Sequence, residues 1–251
     1  ALAGGESQID GLLLAEDTEL MLDALRSLGV VLRVEQEQPS AYVRGCGGHW
    51  PNSEADLFCG NAGTVLRFLT AACGIGYGDY RLDGVARMRE RPIGELVDAL
   101  CDLGAMIGYE GREGYCPLTI HARGLRGGTA RFDRPPSSQF VSALLLAAPY
   151  AASDVMVNVA GGLPSEPYVA MTLRVMEAFG VSAVEDRMQR FIVPARQTYT
   201  AAQYAVEPDA SSASYFFAAA ALSGGRITVE NLGRRSCQGD AGFVDVLERM
   251  G

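Results

Sequence analysis

Four segments of the chain end alike: LDALRSLGV (Leu22 to Val30), VDALCDLGA (Val97 to Ala105), LRVMEAFGV (Leu173 to Val181) and VDVLERMG (Val244 to Gly251). Each sets apolar residues at helical spacing and then a glycine, the residue that most readily takes the left-handed turn closing a helix. The glycines stand at 29, 104, 180 and 251, at intervals of 75, 76 and 71 residues. Solenoid repeats are about 20–50 residues long, so a period of this length holds a whole α/β unit.

Three full units align upstream of the last three glycines. Each opens with a small polar loop: GNAGT (Gly60 to Thr64), PPSSQF (Pro135 to Phe140) and DASSAS (Asp209 to Ser214). An apolar helix follows, then a strand, YRLDG (Tyr80 to Gly84), DVMVNVAGG (Asp154 to Gly162) or RITVENLG (Arg226 to Gly233), then a second loop and helix. Alternation and β-branched content predict the strands, and 3.6-residue periodicity predicts the helices. Ala1 to Leu14 reads as the tail of a helix, a turn and a strand, so the first unit lacks its opening loop and most of its first helix. The chain starts without Met and stops at a helix end, and the reading is of an internal segment of a longer protein.

Composition narrows what such units can do. Of 251 residues 48% are hydrophobic, enough for a substantial core, yet runs such as Val141 to Ala148 fall short of the ~20 residues of a membrane span. A formal net charge of −9 repels nucleic acid. All 21 basic residues are arginine, which excludes a Schiff-base lysine and a complete Walker loop here, so a bound anion must rely on guanidinium groups and backbone amides. Six cysteines without a C-x-x-C pair, with only His49 and His121 beside them, point to a reduced cytoplasmic setting with no structural metal; no cofactor is expected.

The opening loops place Ser, Thr, Asn or Gly just ahead of helices, where free N–H groups and the positive end of the dipole favour an anion. N-capping alone explains most such sequences, and is the better reading for Asp209. Repetition at matched positions favours loops lining one surface, and Gly60 and Gly63 let a ligand approach the backbone. In ARMRERPIG (Ala86 to Gly94) the arginines 87, 89 and 91 alternate. Read as extended chain, they share a side, with Glu90 on the other, and form either a solvated surface or a fork for carboxylate or phosphate. LPSEPYVAMTL (Leu163 to Leu173) carries Ser165 and Tyr168 ahead of a helix.

With these loops placed, the chain resembles the enolpyruvyl transferase family, and within it the branch acting on shikimate 3-phosphate. The stretches that carry the resemblance are LFCGNAGTVLRFLTA, RMRERPIGELVDAL, SSQFVSALLLAAP, EPDASSASYF and QGDAGFVDVLERMG, in the family's order and spacing. The resemblance implies an α/β (α+β) fold of two globules, each of three βαβαββ units. Residues 1–206 would form the N-terminal globule, with its first unit incomplete, and residues 207–251 the start of the C-terminal one, with a hinge between them.

It further implies that Ser137, Ser138, Gln139, Ser165 and Tyr168 bind shikimate 3-phosphate, and that Asn61, Gly63, Thr64, Arg87 and Gln139 serve phosphoenolpyruvate. The reaction implied is enolpyruvyl transfer to the 5-hydroxyl with release of phosphate, by a cytoplasmic monomer that is a glyphosate target in many organisms. Phe68 stands where many members carry proline, in a position that influences the tilt of the loop. The family's N-terminal Lys-Ser and Arg motif and its C-terminal acid-base residues have no counterpart here, so the resemblance implies binding without turnover by this chain alone. Two other readings are the sister transferase acting on UDP-N-acetylglucosamine, whose usual reactive cysteine is missing between Cys73 and Cys101, and a non-catalytic scaffold that keeps the repeat for architecture.

Overall fold

Three four-stranded sheets with one strand order carry the repeat. The computed structural model describes residues 1–234 and 236–251, in two units, Ala1–Tyr204 and Ala205–Gly251. The first unit opens with β1 (Gly4–Asp10), α1 (Glu16–Ser27), β2 (Val31–Glu35) and β3 (Ser40–Cys46). Next come β4 (Glu54–Phe58), α2 (Gly63–Gly74), β5 (Tyr77–Asp83), α3 (Gly94–Asp102), β6 (Ile107–Tyr109) and β7 (Leu118–Arg123). A further repeat runs β8 (Gly128–Phe132), α4 (Ser138–Ala147), β9 (Val155–Val159), α5 (Glu166–Ala178), β10 (Val184–Asp186) and β11 (Arg190–Val193), followed by β12 (Gln203–Ala205).

The sheet orders are β4-β5-β7-β6, β8-β9-β11-β10 and β12-β1-β3-β2. In the two complete repeats the opening strand lies parallel to the next, β4 to β5 and β8 to β9, and the other pairings are antiparallel. In the first sheet the position of the opening strand, next to β1, is held by β12. Chain from the far end of the unit takes that edge: Gly4 and Thr200 form a parallel bridge, and the Gln8 amide donates to the Ala202 carbonyl at 3.1 Å. Ala1 to Ala3, expected as a helix tail, lies instead along β3, where the amides of Cys46 and Gly47 donate to the carbonyls of Ala1 and Ala3. An extended segment satisfies those strand groups where one isolated helical turn would leave them unpaired.

The repeated glycines close their helices as expected. Gly29, Gly104 and Gly180 have φ of 86°, 99° and 82°, and behind each the next amide reaches back to a carbonyl in the last turn: Val30 to Leu25, Ala105 to Leu100 and Val181 to Met176. Any L side chain at these three turns would be strained.

The helices divide into two kinds. α2 and α4 are buried on nearly all sides, contributing Val65, Leu66 and Leu69 from one and Phe140, Val141, Leu144 and Leu145 from the other, as apolar-all-round helices require. α1, α3 and α5 bury one face and expose the other. No helix among the described residues is long and apolar enough to cross a membrane.

Burial sets the thiol chemistry. Desolvation, with smaller contributions from Cys116 and Asp83, pushes Cys59 up to about 12, and burial likewise raises Cys73. Because these folded values lie above the unfolded thiol value of about 8.5, their stabilisation is complete below that pH and is lost as pH rises toward 12. Ellman's reagent at pH 8 is therefore expected to reach exposed Cys101 and to spare Cys59 and Cys73 until denaturant is added. Reaction of all six thiols in the folded protein would contradict this placement.

Ala205–Gly251 holds α6 (Ala210–Ser223) and α7 (Phe243–Met250). Asp209 caps α6, accepting from the amides of Ser211 and Ser212 at 3.0 and 3.2 Å, which is the capping role the sequence favoured. Arg226 to Gly233 was expected as a strand and is not one: no strand follows β12 among the described residues, so its backbone has no ladder to join.

Candidate anion-binding site

The opening loops of α2 and α4 meet although they lie some seventy residues apart. Gly63 and Thr64 form the first turn of α2, and Ser137 is the N-cap of α4, its hydroxyl accepting from the Gln139 amide at 3.2 Å. The link between them is Arg67, one turn into α2. Its Nη1 donates to Gln139 Oε1 at 2.5 Å and to Ser137 Oγ at 3.4 Å, and Gln139 Nε2 donates to Thr64 Oγ1 at 3.0 Å. Oxygen toward arginine and nitrogen toward threonine fixes the orientation of the Gln139 amide. The guanidinium carbon also lies 5.0 Å from the centre of the Phe140 ring.

A second arginine closes on the same loop. Met88–Glu90 is a turn of 3₁₀ helix, and Arg91 leaves it in extended conformation, φ −92° and ψ 125°, as a residue before proline must. Its Nη1 donates to the Asn61 carbonyl at 3.0 Å. A Cβ on Gly63 would stand 2.6 Å from Arg91 Nη2, so glycine here lets the guanidinium lie against the start of α2 and a larger residue would push the end of that side chain aside.

The alternating arginines are thus not the one-sided fork expected from an extended segment, because the 3₁₀ turn separates them. Arg87 is exposed and pairs at 2.6 Å with Glu90, the residue expected to face away. Arg89 pairs with Asp83 through two hydrogen bonds, at 2.9 and 2.6 Å. Burial pushes the Asp83 carboxyl up, but Arg89, the Gly84 amide and Arg81 outweigh it and hold it below the usual carboxylate range.

Arg67 and Arg91 have no carboxylate within ion-pair distance among the described residues, and Arg67 is only 9% exposed. Burial first, and then the charge of Arg91, lower the Arg67 guanidinium, which stays protonated at neutral pH. Two cations without a counter-charge at two helix N-termini form a place prepared for an anion. Arg67 was not assigned a role from sequence, although a charge inside an otherwise apolar helix was the available signal.

Beside this cluster is a cavity of about 360 Å³ between α2, α4 and α5, lined in part by Thr64, Phe68, Ser138, Gln139, Ser142 and Tyr168. Thr172 Oγ1 donates to Ser142 Oγ at 2.7 Å across one wall. Tyr168, expected ahead of the helix, lies within the first turn of α5 and is 46% exposed. Ser165 is the N-cap of α5 in the left-handed region, φ 55°, without a capping hydrogen bond, so it is strained and its hydroxyl is uncommitted among the described residues.

Repeated βαβαββ units that bring helix N-termini together beside one cavity, with two arginines free of carboxylates among the described residues at those loops, are the architecture of an enolpyruvyl transferase. The EPSP synthase (3-phosphoshikimate 1-carboxyvinyltransferase) family model matches residues 1–251, and the chain belongs to that family. It is 46% identical over 251 residues to the 3-phosphoshikimate 1-carboxyvinyltransferase of Nostoc sp. and 51% identical over 256 residues to that of Ralstonia pickettii, covering 100% of this chain in both cases. The matches cover 59% and 58% of those relatives, so the chain spans under two thirds of their length. Among solved structures it is similar to EPSP synthase from Acinetobacter baumannii, with TM-score 0.77 and 26% identity over 88% of this chain and 48% of that one.

Proposed function

We propose that this chain supplies the shikimate 3-phosphate face, and part of the phosphoenolpyruvate site, of an enzyme that transfers the enolpyruvyl group to the 5-hydroxyl of shikimate 3-phosphate and releases phosphate. The observation that carries this reading is the pair Arg67 and Arg91, unneutralised in an acidic protein and converging on the loops at Gly63 and Ser137. In this assignment Ser137 and Ser138 take the substrate phosphate at the α4 N-terminus, Ser165 and Tyr168 hold its far side, and Gln139 bridges both substrates. Gly63 and Thr64 back phosphoenolpyruvate, with Asn61 holding Arg91 in place. Arg91 takes the role expected of Arg87, whose charge is spent on Glu90.

Hydroxyls, amides and guanidiniums bind and orient anions, and none of them is a base at neutral pH. The residues assigned here therefore position the substrates and leave proton transfer to other groups of the enzyme. We place the whole protein in the cytoplasm as a monomer acting on small molecules.

Calorimetric titration with shikimate 3-phosphate tests the assignment. Replacing Ser137 and Ser138 together by alanine is expected to weaken binding about tenfold or more, from loss of two hydrogen bonds to a charged group. It should also cost about 1 kcal/mol of stability from the lost N-cap. Unchanged affinity in the folded double variant would remove the phosphate from this loop.

A further inference from the structure

A second arginine-lined cleft lies at the other end of α2, about 18 Å from Gly63 by the rise of twelve helical residues. It has a volume of about 300 Å³ and is formed by the turn after β3, the end of α2, the end of β7 and the turn after α4. The chemically distinctive residues in its wall are His49, Tyr77, Arg123, Arg126 and Tyr150, and no carboxylate among the described residues lines it. Tyr77 and Arg123 are direct partners across the antiparallel β5–β7 pair, so ring and guanidinium share a face of the sheet. The Tyr77 ring is 62% exposed and stacks at 6.4 Å on His49, with 26° between their planes.

Neither arginine is neutralised. Arg123 donates only to its neighbour's carbonyl, Ala122, at 2.7 Å, and Arg126 has no side-chain hydrogen bond or ion pair among the described residues. In a chain of net charge −9, two arginines in the wall of one cleft, with no carboxylate paired to either among the described residues, are conspicuous. The C-terminal ends of α2 and α4 direct about half a negative charge each toward this region, which leaves the two full positive charges in excess. The Tyr150 hydroxyl is already committed, donating to the Leu2 carbonyl at 2.5 Å, so that residue presents only its ring.

We propose that this cleft is a second anion site, distinct from the loops at Gly63 and Ser137, and that it takes a small planar carboxylate. The ligand's ring lies against Tyr77 and His49, and its carboxylate is held by Arg123 and Arg126. Guanidinium forks match carboxylates in two-point geometry, and a volume near 300 Å³ suits a ligand of one ring. A phosphate would satisfy the arginines but leave the aromatic wall unused.

The chain carries two histidines, one in the cleft and one, His121, paired with Asp79 outside it, so the imidazole proton resonances supply a probe and an internal control. Titration with benzoate at constant pH is expected to shift the His49 signals to saturation while those of His121 stay still. The Arg123→Gln, Arg126→Gln double variant should bind at least about tenfold more weakly, and Tyr77→Leu several-fold more weakly, with folding checked by circular dichroism. Inorganic phosphate should compete poorly. Absence of a saturable shift, parallel shifts of both histidines, an unchanged shift in the arginine double variant, or phosphate competing as well as benzoate would each overturn the proposal.

Discussion

Replacing Arg91 with alanine is expected to weaken phosphoenolpyruvate binding by about thirtyfold to a hundredfold, while Arg87→Ala changes it by less than about twofold. The first figure is the loss of a charge-assisted hydrogen bond, ~2–3 kcal/mol, at a half-buried site where no carboxylate competes for the guanidinium. The second follows from an exposed pair three residues apart, Arg87 with Glu90, of a kind worth a few tenths of a kcal/mol. Titration of the whole protein saturated with shikimate 3-phosphate separates the two. Loss on removing Arg87, with Arg91→Ala intact, would return the role to the residue favoured from sequence. Since the guanidinium of Arg91 rests against Gly63, its removal should leave the fold unchanged, and equal melting temperatures would show that the effect is local.

The Phe140→Ala change should cost about 3–5 kcal/mol of stability. Phe140 is fully buried on α4, itself packed on all sides, so the cavity has no cheap way to collapse. For a protein of this size the loss corresponds to a fall in melting temperature of roughly 6–20 °C. The same change removes the ring beneath the Arg67 guanidinium, which holds the Gln139 amide in its orientation. Shikimate 3-phosphate affinity should therefore fall even at temperatures where the variant is folded. A variant that melts within 2 °C of the parent, on the order of 1 kcal/mol or less, would mean that α4 is not the close-packed helix described above.

The repeat, its helix ends and the opening loops were legible in the sequence because each rests on short-range physics. A left-handed glycine cap is defined within six residues, Asp209 caps the helix that follows it, and amphipathic periodicity is written along the helix itself. Strands were legible only where a partner exists. Tyr80 to Gly84 and Asp154 to Gly162 overlap β5 and β9 within full sheets, while Arg226 to Gly233 has the right residues and no neighbouring strand among the described residues. That β12 takes the edge of the first sheet could not be seen, because strand pairing between residues nearly 200 positions apart leaves no local trace.

The arginines mark the same boundary within the site. Sequence alone determined that the chain is built from α/β repeats of some 75 residues and that, without lysine, its anions must be met by arginine and backbone amides. Which arginine meets them was decided by tertiary structure: a 3₁₀ turn sends Arg87 to Glu90 and Arg89 to Asp83, and frees Arg91 to reach Asn61, thirty residues earlier. Arg67 finds Gln139 across 72 positions. Caps and periodicity are set by backbone geometry over a few bonds, whereas the destination of a long charged side chain depends on which acceptor, carboxylate or neutral oxygen, the folded chain brings nearest.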